Sequence, residues 1–154
     1  MRIRLLILIL IVVAAGFQAT NYQAAQKPYH VSMTVDSVRF YESGNNQIPV
    51  NERVYRTRFK RSSARYINWE LVLTHAKAPT RLGMEIQAVW HGPTGNLLHR
   101  QPHHWFVSGG QETSHISWGF GCANAPCRIW EPGEYRVDFL QGEKKIGQGV
   151  FEIR

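Results

Sequence analysis

The sequence predicts an all-β domain, a two-sheet antiparallel sandwich of about eight strands. Three observations support this fold class. Short segments rich in Val, Ile, Tyr, Phe and Trp alternate between apolar and polar residues. Clusters of Gly, Pro, Asn and Ser separate these segments, and no long stretch has the spacing of an amphipathic helix.

Residues 1–19 are predicted to be an N-terminal signal peptide. Arg2 and Arg4 precede an unbroken apolar run of 13 residues, 5–17, and small residues permit cleavage after Ala15, Gly16 or Ala19. The run is shorter than the roughly 20 residues that cross a bilayer as a helix. We therefore expect export to the periplasm or beyond. The alternative is an uncleaved N-terminal segment, which would be the one link to a membrane.

After a polar lead-in, residues 20–27, the segment 28–154 is long enough for one domain with a continuous core. The full chain has 18 basic and 11 acidic residues; without Arg2 and Arg4, 16 basic residues remain and the net charge is +5. This surplus favours loose contact with anionic envelope polymers or lipid head groups over nucleic acid. The positive charge is concentrated in residues 53–65. There the alternation of side chains indicates a strand and turn whose outward positions are solvated.

The first three predicted strands lie in residues 30–42, 53–60 and 65–75. In each of them, residues at every second position share one face of a sheet. These shared faces are Val31, Met33 and Val35; Tyr55, Thr57 and Phe59; and Ile67, Trp69, Leu71 and Leu73. The third face is the most regular, and we expect it to be buried.

The remaining strands follow the same rhythm. Residues 81–92 lead into a Gly-Pro-Thr-Gly-Asn loop that predicts a hairpin returning through 97–101. Another strand is predicted at 113–120, and a final hairpin joins 134–141 to 144–154. The faces expected to be apolar are Leu82, Met84, Ile86, Ala88 and Trp90, and then Ile116, Trp118 and Phe120. Core packing is expected for the indoles of Trp69, Trp90, Trp118 and Trp130.

Both cysteines lie in the short segment Gly-Cys-Ala-Asn-Ala-Pro-Cys. In an oxidising compartment, such a pair predicts a disulfide between Cys122 and Cys127 that fixes the shape of a loop. A redox dithiol is disfavoured because four residues intervene and no helix N-terminus is predicted there to lower the thiol pKa.

The segment from Trp130 to Val137 carries a resemblance. Trp130, the turn residues Pro132 and Gly133, and then Tyr135 resemble the tyrosine corner of fibronectin type III and related immunoglobulin-like domains. The resemblance implies that the Tyr135 hydroxyl bonds to backbone a few residues upstream. More broadly, the chain is similar to uncharacterised immunoglobulin-like β-sandwich domains of bacterial exported proteins, which implies a fold and a bacterial origin but no activity.

Histidines suggest a metal site as one alternative. His99, His103 and His104 lie within six residues, and His91 is expected across the predicted hairpin from His99. Imidazole is a good ligand for copper and zinc. However, neighbouring strand residues point to opposite faces, so His103 and His104 could share a site only if the strand breaks at Pro102.

A second hypothesis is an exposed binding patch formed by Arg100, His103, His104 and Trp105, able to stack on a sugar or grip a peptide. Hydrolase and nucleotide-binding signatures are absent from the sequence, and no cofactor is predicted. We therefore expect a non-catalytic binding or assembly module of the bacterial envelope. Its partner would be an envelope protein, reached through a strand edge, or a polysaccharide. A periplasmic copper- or zinc-binding protein is the alternative, and a small hydrolase comes third.

Overall fold

In the computed structural model, residues 31–44 and 48–154 are described. Eight strands follow one another along the chain, with one turn of 3-10 helix, Val50–Glu52, after the first. The strands are β1 Met33–Ser43, β2 Arg58–Phe59, β3 Tyr66–His75, β4 Leu82–His91, β5 Leu97–Val107, β6 Thr113–Gly121, β7 Gly133–Gln141 and β8 Lys144–Ile153. The predicted signal peptide and lead-in lie outside the described residues. No helix within the described ranges has the length and apolar character to cross a membrane.

The strands form two sheets. One sheet has three strands in the order β1-β3-β6, and the other has five in the order β2-β8-β7-β4-β5. All neighbours are antiparallel except β2, which runs parallel to the end of β8. The predicted all-β, two-sheet sandwich of eight strands is therefore confirmed.

The core lies between the two sheets, where the alternation predicted it. The inner-face residues of β3 are at most 1% exposed; they are Ile67, Trp69, Leu71 and Leu73. Trp90 and Trp130 are buried to the same degree. Aromatic rings dominate one end, where the Tyr135 ring stacks on Phe151 with centroids 5.2 Å apart. These rings exclude water because large apolar surfaces gain most from burial.

Two predicted strands differ in extent. Residues 53–60 form only the two-residue β2, because the segment first bridges β1 through Tyr55 and Tyr41 and then crosses to β8. By contrast, β5 is longer than expected and continues through Pro102. A proline can stay in a strand at the edge of a sheet, where its nitrogen faces away from the paired neighbour.

Candidate functional site

The four residues of the predicted binding patch do not form one surface. They all lie on β5, but an unbroken strand sends successive side chains to opposite faces. His103 and Trp105 point inward between the sheets and are half-buried, whereas Arg100 and His104 lie on the outer face and are exposed. The strand does not break at Pro102, which was the condition for bringing His103 and His104 together.

The four histidines of the predicted metal site are separated in the same way. His91 pairs in register with Leu97 instead of His99, because the ladder is bulged at that point. On the outer face, Nε2 of His91 lies 3.2 Å from Oδ2 of Asp138. Nδ1 of His104 lies 3.4 Å from Oε2 of Glu85. Over the described part of the chain, no group of three or more potential ligands is close enough to hold a metal ion. The structure therefore does not assemble this set of histidines.

Trp105 is more buried than the sequence predicts, and Trp118 is more exposed. Trp105 is half-buried, and its indole nitrogen donates to the Ser114 hydroxyl at 3.3 Å. Trp118, expected in the core, is 46% exposed. The physical reason is its position on β6, the last strand of the three-stranded sheet, where no further strand covers the inner-face side chain.

His103 lies between the indoles of Trp69 and Trp118, on the side of the sandwich where β5 and β6 face each other. Its ring centroid is 4.8 Å from that of Trp69 and 5.5 Å from that of Trp118. Burial, reinforced by His104 and His99, lowers the pKa of His103 to about 4, so the ring is neutral at pH 7. Its Nε2 is buried and lacks a hydrogen-bond partner within the described residues. It is therefore an unsatisfied polar atom close to Trp118.

His99 lies on the same side of the sandwich, further along β5. Its ring stacks on Phe120 with centroids 4.6 Å apart. His99 thus packs on Phe120, and His103 on Trp118, along the side where β5 and β6 face each other. We call this row of aromatic rings, exposed at Trp118, the aromatic cleft.

The free edge of β6 borders the aromatic cleft. Within residues 31–44 and 48–154, β6 pairs with β3 alone. The backbone bonds Cys122 N to Arg65 O (3.1 Å) and His75 N to Glu112 O (2.9 Å) flank this ladder. In an antiparallel ladder, hydrogen-bonded pairs alternate, so even-numbered residues of β6 face β3. The backbone N–H and C=O groups of His115, Ser117 and Gly119 therefore point to the free edge.

This edge lacks the features that protect other edges of the sandwich. Its sequence, Thr-Ser-His-Ile-Ser-Trp-Gly-Phe-Gly, has no proline, lysine, arginine or carboxylate, and its nine pairs with β3 show no bulge. The edge of β5 contains Pro102, β1 is bulged between Val35 and Ser37, and the end of β8 is covered by β2. Native proteins block exposed edges with such devices. An unblocked edge of this length beside an aromatic cleft is suited to accept another strand.

A second polar cluster was missed by sequence reasoning. Glu70, on the outer face of β3, is only 3% exposed. Arg39 and Arg53 each form an ion pair with one of its carboxylate oxygens, and the Tyr55 hydroxyl donates to Oε2 at 2.8 Å. Burial of Glu70 opposes ionisation, but the bonds from Tyr55 and Arg53 and the charge of Arg39 outweigh it and lower the pKa.

The Glu70 cluster fastens to the three-stranded sheet the segment before β2, which crosses from β1 to β8. We call it the crossing segment. Arg53 also donates to the backbone oxygen of Ile48 at 3.0 Å, and its guanidinium lies 4.7 Å from the ring centroid of Tyr41. Both Glu70 oxygens have partners and the residue is only 3% exposed, so the carboxylate is shielded from solvent. We interpret the cluster as structural. Sequence alternation alone does not indicate the cluster, because Arg39 comes from β1, and Arg53 and Tyr55 come from the segment before β2.

The predicted loop disulfide is present between Cys122 and Cys127, whose Cα atoms are 5.4 Å apart. Its loop rests on the turn before β3 through the bond from Cys127 N to Ala64 O at 3.3 Å. Nearby, the Tyr135 hydroxyl accepts from the Glu131 backbone N at 2.7 Å and donates to its carbonyl at 2.9 Å. Trp130 is buried beside Tyr135, while Pro132 and Gly133 make the turn. This arrangement has the geometry of a tyrosine corner.

Comparison with known proteins identifies the fold. No protein-family model matches the sequence, and no curated protein matches it. Among solved structures, the chain is similar to part of a β-glucosidase involved in saponin metabolism from intestinal bacteria, with TM-score 0.52, 14% identity and 81% of this chain aligned. It is also similar to part of the β-D-glucoside glucohydrolase of Trichoderma reesei, with TM-score 0.51, 4% identity and 81% of this chain aligned. An immunoglobulin-like protein from Pseudomonas aeruginosa aligns over 80% of this chain and 97% of its own, with 14% identity and TM-score 0.46.

These similarities concern the fold alone. The chain spans 16% and 19% of the two glycosidases, so it matches only a small portion of each. The two-sheet β-sandwich predicted from the sequence is the fold of this protein.

Proposed function

We propose that this protein is a non-catalytic binding or assembly module of the bacterial envelope, whose partner is an envelope protein that adds an extended segment to β6. The free edge of β6 beside the aromatic cleft is the observation that carries the proposal. Strand addition satisfies the unpaired backbone groups of an edge, and side chains at alternate positions supply specificity.

The cleft favours a peptide over a polysaccharide as the ligand. The backbone groups of His115, Ser117 and Gly119 point outward at the spacing of a β-ladder, which an extended peptide matches along its length. Every second residue of such a peptide would point inward onto Trp118 or Phe120. We expect apolar residues there, with one polar side chain opposite Nε2 of His103.

Export to the periplasm or the cell exterior is part of the same proposal. The Cys122–Cys127 disulfide supports it, because disulfides persist mainly in oxidising compartments.

The test is selection of binding peptides from a random nine-residue library displayed on phage, followed by titration of the best synthetic peptide. Ser117→Pro is the key variant, because it removes an outward N–H that the β3 ladder does not use. We expect it to weaken peptide binding at least tenfold while the midpoint of thermal unfolding changes little. Ser117→Ala keeps the N–H and should bind like the wild type.

Two results would contradict the proposal. One is equal peptide affinity of the wild type and a folded Ser117→Pro variant. The other is a peptide whose NMR contacts lie away from β6 and the aromatic cleft.

A further inference from the structure

A basic groove lies on a surface separate from the β6 edge. It has a volume of about 370 Å³ and shares no lining residue with the aromatic cleft. Four cationic side chains line it, together with one carboxylate, one aromatic ring and one hydroxyl; these residues are Arg56, Arg58, Lys60, Arg154, Glu42, Phe59 and Ser63. Three of the four cations are arginines.

The backbone that carries these cations is firmly held. The Glu152 N–H donates to the Thr57 carbonyl at 2.8 Å, and the Arg154 N–H donates to the Phe59 carbonyl at 2.9 Å. Phe59 is buried, and its ring meets Phe151 edge-on with centroids 5.8 Å apart. Because the backbone is already ordered, a ligand would have to order only the side-chain ends.

Carboxylates compensate the groove only in part. Glu152 lies 3.4 Å from Arg58 and 2.9 Å from Arg154, and so holds both guanidinium groups in place. Glu42 is engaged by Arg65, outside the groove lining, at 3.3 Å. Arg56 and Lys60 form no ion pair with any carboxylate of the described residues. The groove thus keeps a positive surplus that an anionic ligand can neutralise.

We propose that this groove binds a linear polymer of the cell envelope whose units are joined by phosphodiesters. The planar guanidinium of Arg56 presents paired N–H donors that match phosphate oxygens, and the Lys60 ammonium adds a second positive charge. A concave site lined by cations fits a narrow polymer chain, whereas a flat membrane surface would require cations on one exposed plane. Several cations in one groove also match an anion that repeats along a chain.

The experiment measures binding of the protein to purified teichoic acid, a polymer linked by phosphodiesters, by calorimetry at low and physiological salt. Arg56→Ala/Lys60→Ala removes the two cations that have no ion pair, so folding should be preserved. The matched control is Arg100→Ala/Lys144→Ala, which lowers the net charge equally at exposed positions outside the groove. Neutral dextran, dextran sulfate and phosphatidylglycerol vesicles are the comparison ligands.

We expect saturable binding to teichoic acid that weakens at least tenfold in the groove variant and less than threefold in the control variant. Dextran should not bind, and dextran sulfate should bind more weakly than teichoic acid per charge. Equal losses in both variants would overturn the proposal, because binding would then follow net charge alone. Tighter binding to the vesicles than to teichoic acid would also overturn it, in favour of a membrane surface.

Discussion

The two long sides of the sandwich differ in how closely their outer strands pack. Where β1 faces β8, the sheets approach so closely that a Cβ on Gly149 would lie 2.5 Å from Val38 and 2.6 Å from Phe40. Where β5 faces β6, Trp118 is 46% exposed and one ring nitrogen of His103 lacks a partner among the described residues. The first side packs tightly at Gly149, beside a shallow groove of about 690 Å³ that residues of β1 and β8 line together. The second side leaves the Trp118 ring exposed.

This contrast separates stability from binding within one small domain. The β1–β8 side also carries the crossing segment that the Glu70 cluster fastens to the outer face of β3. Substitutions there should cost free energy of unfolding, whereas substitutions on the β5–β6 side should spare stability and alter binding.

The largest effect is expected for Glu70→Gln. Removing one partner from a buried ion pair leaves the other charge uncompensated, which costs about 3–5 kcal/mol in free energy of unfolding. Arg53, with 12% of its side chain exposed, would be left in this way. Urea unfolding provides the measurement. The control, Glu42→Gln, alters a more exposed pair and should cost less than about 1 kcal/mol. Similar losses in both variants would contradict the role given to Glu70.

Acid unfolding sharpens the same point. Because folding lowers the pKa of Glu70, its contribution to stability is complete above the usual carboxyl pKa of 4.5 and is lost as the pH falls through the lower folded value. Below pH 4.5 the wild type should therefore lose stability more steeply than Glu70→Gln. Parallel pH profiles of the two proteins would show that Glu70 is not responsible.

A smaller effect is expected for Gly149→Ala on the β1–β8 side. The added methyl group would collide with Val38 and Phe40, and overpacking of this kind costs about 1–3 kcal/mol. The neighbouring Gln148→Ala places its change on an exposed position and should be close to neutral. A Gly149→Ala protein as stable as the wild type would mean that the two sheets can separate there without cost.

On the β5–β6 side, Trp118→Ala should lower the free energy of unfolding by less than about 1 kcal/mol, because the ring leaves one side in water. Its ladder partner Trp69 is buried, and Trp69→Ala should cost about 3–5 kcal/mol. Chemical unfolding of the two variants compares a buried and an exposed tryptophan that are paired between β3 and β6. Equal costs would show that Trp118 is part of the core.

A pH-dependent effect is expected for His103. Its folded pKa of about 4 lies below the ordinary value of 6.5, so the neutral ring stabilises the fold fully above pH 6.5, and this contribution is lost as the pH falls toward 4. His103→Gln should remove that part of the pH dependence. NMR titration of the ring protons checks the pKa directly, and a midpoint near 6.5 would mean that the ring is solvated.

The strand pattern was predictable because burial follows alternation. The uninterrupted series from Ile67 to Leu73 identified a buried face without knowledge of any partner strand. The corner was also predictable, since Pro132, Gly133 and Tyr135 act within one local segment.

The site was less predictable because it depends on which strand ends a sheet. Alternation places Trp118 on an inner face but does not show that β6 has one neighbour only. The structure does not bring the histidines together, because β5 continues through Pro102 and places His103 and His104 on opposite faces. Glu70 occupies an outward position that became buried only when a distant segment folded over it.

Amide hydrogen exchange along β6 tests most directly the claim that this edge is free to accept a strand. In the isolated protein, the amides of Ile116, Trp118 and Phe120 should exchange slowly, because they donate to β3. The amides of Ser117 and Gly119 should exchange rapidly and become protected when a peptide binds. Slow exchange of Ser117 and Gly119 in the isolated protein would show that the edge is already covered, and would contradict the account.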